Sequence, residues 1–186
     1  MLELALHILD LVENSLRAQA SVVRVVIAVD IEQDILRIAI EDNGPGFNIA
    51  PEEAANPFYT TKNGKKTGLG LSLFREAAER AGGTMEVGRS DLGGVLVEGV
   101  MRLNHVDRTP LGDIAGTLFS VACTNPEVDL WLQVETPEET RNVRVSDITS
   151  ALGDAGMAVA RRFRQEVRQT LATLPSDDWI ADEARL

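Results

Sequence analysis

The chain has 186 residues, 44% of them hydrophobic and 25% charged, a profile that suits one medium globular domain or one domain plus a smaller second one. A net charge of −11 repels phosphate backbones and argues against general nucleic-acid binding. A single cysteine, Cys123, excludes an internal disulfide; no apolar run approaches the ~20 residues that span a bilayer, and the start has no basic n-region or cleavage site, so a cytoplasmic protein without a membrane partner is expected.

Residues 2–20 read as a helix with an apolar stripe of Ala5, Ile8, Leu9, Val12 and Leu16. A second stripe of Glu3, His7, Asp10, Asn14 and Arg17 shares another side of the same helix. Two β-branched runs, 22–30 and 35–42, read as strands joined by a hairpin around Glu32-Gln33-Asp34. Residues 47–68 read as an irregular loop. The spacing predicts a helix over 69–81, closed by Gly82-Gly83, then strands over 84–89 and 95–103.

From His105 the texture changes, and a boundary is expected near 104–108, dividing 1–104 from a small α/β region over 105–186. A helix over 111–123 is followed by strands over 128–135 and 142–146. Val159, Phe163, Val167, Leu171 and Leu174 then mark an amphipathic helix. Its arginines, Arg161, Arg162, Arg164 and Arg168, read as a solvated face or a partner surface. Trp131 and Trp179 read as structural, and Cys123 as a small apolar group in a helix.

Four segments carry polar chemistry. Asp10, Asn14 and Arg17 line up a carboxylate, an amide and a guanidinium at helical steps of four and three, as a base, a metal ligand and a phosphate donor would require; a solvated face would carry the same stripe. Glu41-Asp42-Asn43-Gly44-Pro45-Gly46 follows a strand, where an aspartate can accept from an exocyclic amine and glycines admit a ring or phosphate. Asn56-Pro57-Phe58-Tyr59-Thr60-Thr61-Lys62 combines hydroxyls and a cation in the irregular stretch. Thr67-Gly68-Leu69-Gly70-Leu71-Ser72 precedes a helix whose first N–H groups suit an anion. Lys62, Lys65 and Lys66 are the only lysines of the chain, beside fifteen arginines, so the loop concentrates a distinct kind of cation.

In this order and spacing the four segments resemble the GHKL superfamily of gyrase-type topoisomerases, mismatch-repair ATPases, histidine kinases and anti-sigma serine kinases. LDLVENSLRAQA looks like its N-box, EDNGPGF like the first glycine box, NPFYTTK like the F-box and TGLGLSL like the second glycine box. The resemblance covers about residues 4–104 and implies a Bergerat fold: a two-layer α/β (α+β) sandwich whose mixed, mostly antiparallel sheet carries helices on one face. By position it implies ATP and Mg²⁺ as ligands, with Asn14 on the metal and Asp42 on the adenine amine beside Gly44 and Gly46. Residues 57–67, with Thr60, Thr61, Lys62, Lys65 and Lys66, stand where the family has its ATP lid. Gly68, Leu69, Gly70 and Leu71 stand where it contacts phosphate, and Arg17 where kinases carry a basic residue near phosphate. Asp10 takes the place of a general-base glutamate, with Glu13 as second choice.

The sequence also departs from the pattern. It starts almost at the N-box, so the sheet is expected to lack an edge strand or borrow one. Val95 replaces a threonine that helps hold a water at the adenine. With the N-box so near the start, a complete sensor kinase with a dimerisation hairpin and phosphoacceptor histidine is not expected. His7 is expected to be hydrogen-bonded or to face phosphate, and His105 to lie at the surface or between domains. The layout, with HVDRTPLGDIAGTL after the first 104 residues, is similar to small stand-alone ATP-binding proteins encoded by anaerobic bacteria, often beside iron-hydrogenase genes. The resulting expectation is a kinase of the anti-sigma serine type acting on a separate protein. A nucleotide-dependent switch and a slow ATPase are the alternatives, and a homodimer stays open.

Overall fold

β-Branched alternation decides the layering. In the computed structural model, which describes residues 3–46, 69–153 and 156–174, the two runs form β1 (Val22–Asp30) and β2 (Ile35–Asp42). Val23, Val25, Ile27 and Val29 of β1 and Leu36, Ile38 and Ile40 of β2 are buried on one face. The turn between them is a hairpin, with Asp34 in the left-handed region at φ 57°.

The remaining elements are α1 (Leu4–Arg17), α2 (Leu69–Arg80), β3 (Thr84–Arg89), β4 (Val95–Arg102), α3 (Ile114–Thr124), β5 (Asp129–Glu135), β6 (Thr140–Arg144), α4 (Val145–Leu152) and α5 (Met157–Leu171). The strands form one sheet in the order β3-β4-β2-β1-β5-β6. Among the described residues only β1 and β5 pair in parallel, Val22 opposite Asp129 and Ala28 opposite Glu135. The result is the expected α/β two-layer sandwich with a mixed, mostly antiparallel sheet.

β5 runs beside β1, so residues beyond 105 extend the sheet begun by the first 104. The same region also reaches the start of α1. Leu4 and Ala5 donate their backbone N–H groups to the carbonyls of Pro110 and Leu111, each at 2.8 Å. Two donors that a helix start leaves unpaired are thereby satisfied.

The other face of the sheet is cross-braced by ion pairs. Arg24 donates to Glu41 at 2.6 Å, and Arg37 bridges Glu98 at 2.8 Å and Glu135 at 2.6 Å. Trp131 lies between the guanidinium groups of Arg24 and Arg144, 4.8 and 5.1 Å from its ring centroid, and its indole N–H donates to Asn142. This is the structural role expected of Trp131; Trp179 lies outside the described residues.

The strand expected over 142–146 is β6, ending at Arg144, and residues 145–152 form α4, a helix that the sequence pattern does not announce. Asp129 is the reason: its carboxylate accepts from the Ser146 N–H at 2.9 Å and from Arg144 Nε at 2.7 Å. That holds a carboxylate at the start of α4, from a strand seventeen residues earlier.

Candidate functional site

The polar stripe of α1 faces α2. Gly70, in the first turn of α2, sits against it: a Cβ built there lies 3.3 Å from Asp10 Cβ, 3.7 Å from Asp10 Oδ2 and 3.8 Å from Asn14 Nδ2. Two segments far apart in sequence thus place a carboxylate, an amide and a helix N-terminus side by side. Asp10 is part-buried, and its carboxyl is held above the usual carboxylate range, first by desolvation and then by the charge of Glu13, with Arg17 opposing. Glu13 is exposed and engaged by Arg17 at 3.0 Å. Arg17 also donates to Asn14 Oδ1 at 2.9 Å, so the oxygen expected to meet a metal accepts from a guanidinium here.

His7 corrects an expectation. It is 2% exposed, packs 6.0 Å from the ring of Phe74 and has no partner for Nδ1 among the described residues. It is a buried residue packed beside Phe74 of α2, without a hydrogen bond at that nitrogen among the described residues. Gly99 makes room for Phe74, since a Cβ there would stand 2.6 Å from Phe74 Cζ.

The second half of the site is the end of β2. Asp42 is 4% exposed. Its Oδ1 accepts from the backbone N–H groups of Gly44 at 2.9 Å and Val95 at 3.2 Å, and its Oδ2 from the Ser15 hydroxyl at 2.7 Å. Its main-chain carbonyl accepts from Gly94 at 3.0 Å. A carboxylate oxygen has two acceptor positions, so Oδ2 can accept from a second donor beside Ser15. Asn43 fixes the turn that follows by accepting from the Ser21 and Val22 N–H groups, each at 2.9 Å.

The turn before β4 closes over this carboxylate. A Cβ on Gly94 would collide with Asp42 Oδ1 and come within 2.6 Å of the Gly44 nitrogen. Gly46, at φ 76°, lies across from the Gly94 carbonyl. Glu41 sits behind, buried, accepting from Arg24 and from the Ser90 hydroxyl at 3.0 Å. Sequence reasoning named Asp42, Gly44, Gly46 and the Leu92-Gly93-Gly94-Val95 turn but missed Ser15 and Ser90. Ser15 follows Asn14 by one residue and turns about 100° from it, toward the sheet.

These contacts bring together Asp10, Asn14 and Gly70 on one side and Asp42, Gly44 and Gly46 on the other. Leu71 packs part-buried against the core, and only the backbone placement of Leu69 is described. Thr60, Thr61, Lys62, Lys65, Lys66 and Gly68 lie outside the described residues. Among the described residues, no group of three or more His, Cys, Asp or Glu side chains could hold a metal. A cation here would rest on Asn14 and on its ligand's own oxygens, the manner in which Mg²⁺ is commonly held.

A family model described as "Histidine kinase-, DNA gyrase B-, and HSP90-like ATPase" matches residues 2–105. The chain belongs to this family. Within it, the chain is 22% identical over 105 residues to a putative sensor histidine kinase, NtrY-like, of Rickettsia conorii, covering 56% of this chain and 17% of that protein. It is 38% identical over 68 residues to the C4-dicarboxylate transport sensor protein DctB of Pseudomonas aeruginosa, covering 36% of this chain and 11% of that protein. The chain therefore spans less than a fifth of either sensor protein. Among solved structures, the Aquifex aeolicus MutL ATPase domain complexed with ADP is similar at a TM-score of 0.49 and 19% identity, covering 89% of this chain and 70% of that one. No helix among the described residues is long and apolar enough to cross a membrane.

Proposed function

We propose that this chain binds Mg²⁺-ATP between α1, the end of β2 and the start of α2, and passes the γ-phosphate to a hydroxyl of a separate protein, as an anti-sigma-type serine kinase would. The carrying observation is the approach of Gly70 to Asp10 and Asn14. It sets a proton acceptor beside a helix start suited to phosphate. Asp42 would take the adenine amine on Oδ2, with Ser15, Gly44 and Val95 keeping the carboxylate oriented. Asn14 would hold Mg²⁺ through Oδ1, and a bound Mg²⁺ supplies charge neutralisation at the phosphates.

In the transfer, the acceptor hydroxyl oxygen bonds to the γ-phosphorus and the bond to the β–γ bridging oxygen breaks. ADP leaves, and the hydroxyl proton goes to Asp10. Desolvation of Asp10 favours this role, because a carboxylate with a raised pKa is a better base. The same base could serve a water, which is the slow-ATPase reading, since Asp10 is only part-buried. A switch that binds nucleotide without turnover needs neither.

The deciding experiment incubates the chain with Mg²⁺ and γ-labelled ATP, follows free phosphate and intact ATP, and offers hydroxyl-bearing candidate substrates. Label on a protein hydroxyl that disappears in Asp10→Ala supports the kinase. Repeated phosphate release without acceptor makes the chain an ATPase. Nucleotide binding with ATP left intact under every condition leaves the switch.

A further inference from the structure

Asp42 and Glu41 are neighbours on β2, and their side chains leave opposite faces of the sheet. Asp42 turns toward Ser15 of α1, and Glu41 toward the face braced by ion pairs. The turn between β3 and β4 holds both. The Gly94 N–H donates to the Asp42 main-chain carbonyl at 3.0 Å and the Val95 N–H to Asp42 Oδ1 at 3.2 Å. The Ser90 hydroxyl donates to Glu41 Oε2 at 3.0 Å and accepts from the Leu92 N–H at 2.9 Å. Ser90 is 4% exposed and Glu41 8%, so each relies on this contact rather than on water.

From Glu41 the contacts continue along one register row of the sheet. Glu41 stands opposite Arg24, Arg24 opposite Trp131, and Trp131 opposite Arg144. Arg24 donates to Glu41 Oε1 twice, at 3.1 Å from Nε and 2.6 Å from a terminal nitrogen. The guanidinium groups of Arg24 and Arg144 lie 4.8 and 5.1 Å from the Trp131 ring centroid. Arg144 donates to Asp129, which also accepts from the Ser146 N–H at the start of α4. The row spans three strand spacings, about 14 Å, from the end of β2 to the first turn of α4.

We propose that Glu41 is a positioning residue for the nucleotide site, and that this row couples occupancy of Asp42 to the β6–α4 end of the sheet. The coupling presupposes the nucleotide reading given above. A donor arriving at Asp42 Oδ2 pulls on a carboxylate already held by Ser15, Gly44 and Val95. The space around that carboxylate is full, since a Cβ on Gly94 would collide with Oδ1 and lie 2.6 Å from the Gly44 nitrogen. Close-packed contacts transmit a displacement instead of absorbing it. The 90–94 turn therefore moves with Asp42, and Ser90 carries the movement to Glu41 and its ion pair with Arg24. Trp131, between two guanidinium groups, reports it. Such coupling is reciprocal, so a change at Arg144 alters nucleotide affinity.

The test uses the Trp179→Phe chain, in which Trp131 is the sole tryptophan. Equilibrium dialysis with Mg²⁺ and a labelled non-hydrolysable ATP analogue measures binding independently of fluorescence. The analogue is expected to shift Trp131 emission with the midpoint that dialysis gives. Glu41→Gln and Ser90→Ala should each reduce the shift at saturation to about half or less. Arg37→Gln, which breaks the neighbouring pairs with Glu98 and Glu135 on the same face, should leave it intact. Arg144→Gln should change the dialysis Kd about fivefold, and this effect should vanish in the Glu41→Gln background. Circular dichroism separates loss of response from loss of fold, and Ser90→Ala keeps the test decisive if Glu41→Gln does not fold. Binding in dialysis with unchanged Trp131 emission overturns the coupling alone. So does an Arg144→Gln effect that is absent, or that persists undiminished with Glu41→Gln. No binding in dialysis overturns the nucleotide reading and the coupling with it.

Discussion

The Ser15 hydroxyl donates a 2.7 Å hydrogen bond to Asp42 Oδ2, joining α1 to the end of β2 inside the proposed nucleotide site. Both residues are buried, at 5% and 4% exposure. A hydrogen bond to a buried charged group contributes about 1.5–3 kcal/mol. Ser15→Ala should therefore lower stability by about 2 kcal/mol and let the carboxylate turn, weakening nucleotide binding. Denaturant unfolding and titration with a non-hydrolysable ATP analogue check both effects. Asp42→Asn should weaken the analogue more, because the amide presents a donor where the adenine amine needs an acceptor. Unchanged affinity in Asp42→Asn would remove Asp42 from the site.

Gly94 and Gly88 make a matched pair. At Gly94 a Cβ would strike Asp42 Oδ1 and the backbone of Gly44, neither of which can yield cheaply. Gly94→Ala should cost a few kcal/mol, about 2–4 on the scale of overpacking and backbone displacement, and disturb the Asp42 carboxylate. At Gly88 nothing stands within 4 Å of a Cβ. Gly88→Ala should be neutral or stabilise by about 0.4–1 kcal/mol. Thermal unfolding of the two variants side by side reads the contrast; equal midpoints would mean the turn before β4 does not close on Asp42 as described.

Asp10→Asn keeps the size of the side chain and removes the base. If Asp10 takes the proton, turnover should fall about 10²–10⁴-fold while analogue affinity stays within a few-fold. The acid limb of the native pH–rate profile should lie above the ordinary carboxylate range, because desolvation raises the Asp10 pKa and only the deprotonated form can act. Stopped-time assays across acidic to neutral pH locate that limb. An unchanged rate in Asp10→Asn would pass the role to another group, with Glu13 next to be replaced.

Much of the fold could be read because local periodicity and burial agree in it. The alternation of 22–30 and 35–42 reports a half-buried hairpin, and the strands end at Asp30 and Asp42 as read. Asp42 and Gly70 were legible because each sits at the end of an element of clear type, and Asp10 and Asn14 because they share one stripe of a clear helix. Long-range pairing was not legible. Nothing local in VDLWLQVE says that it lies parallel to β1, nor that Asp129 caps α4. His7 misled for a related reason: its helical phase places it beside Asp10, but the depth of α2 over that stripe depends on Phe74 filling the space at Gly99. The lysine-bearing stretch 60–66 remains a sequence expectation, since it lies outside the described residues.

His7 carries the clearest pH prediction. Burial first, with the positive charge of Arg80 adding, lowers its pKa from 6.5 to about 4. The unfolded chain therefore takes up this proton at higher pH than the folded chain does. The contribution to stability is fully present above about pH 6.5, declines as pH falls, and is lost by about pH 4. A shift of that size corresponds to about 3 kcal/mol across the window. His7→Leu should fill the space beside Phe74 without the ionisable group, so its stability should stay nearly flat between about pH 6.5 and 5, where the native chain weakens. That window lies mostly above the titration of ordinary carboxylates, which keeps their contribution small. Urea unfolding of both chains at several pH values measures the difference; parallel curves would mean that His7 is protonated in the folded state and reaches water or a carboxylate.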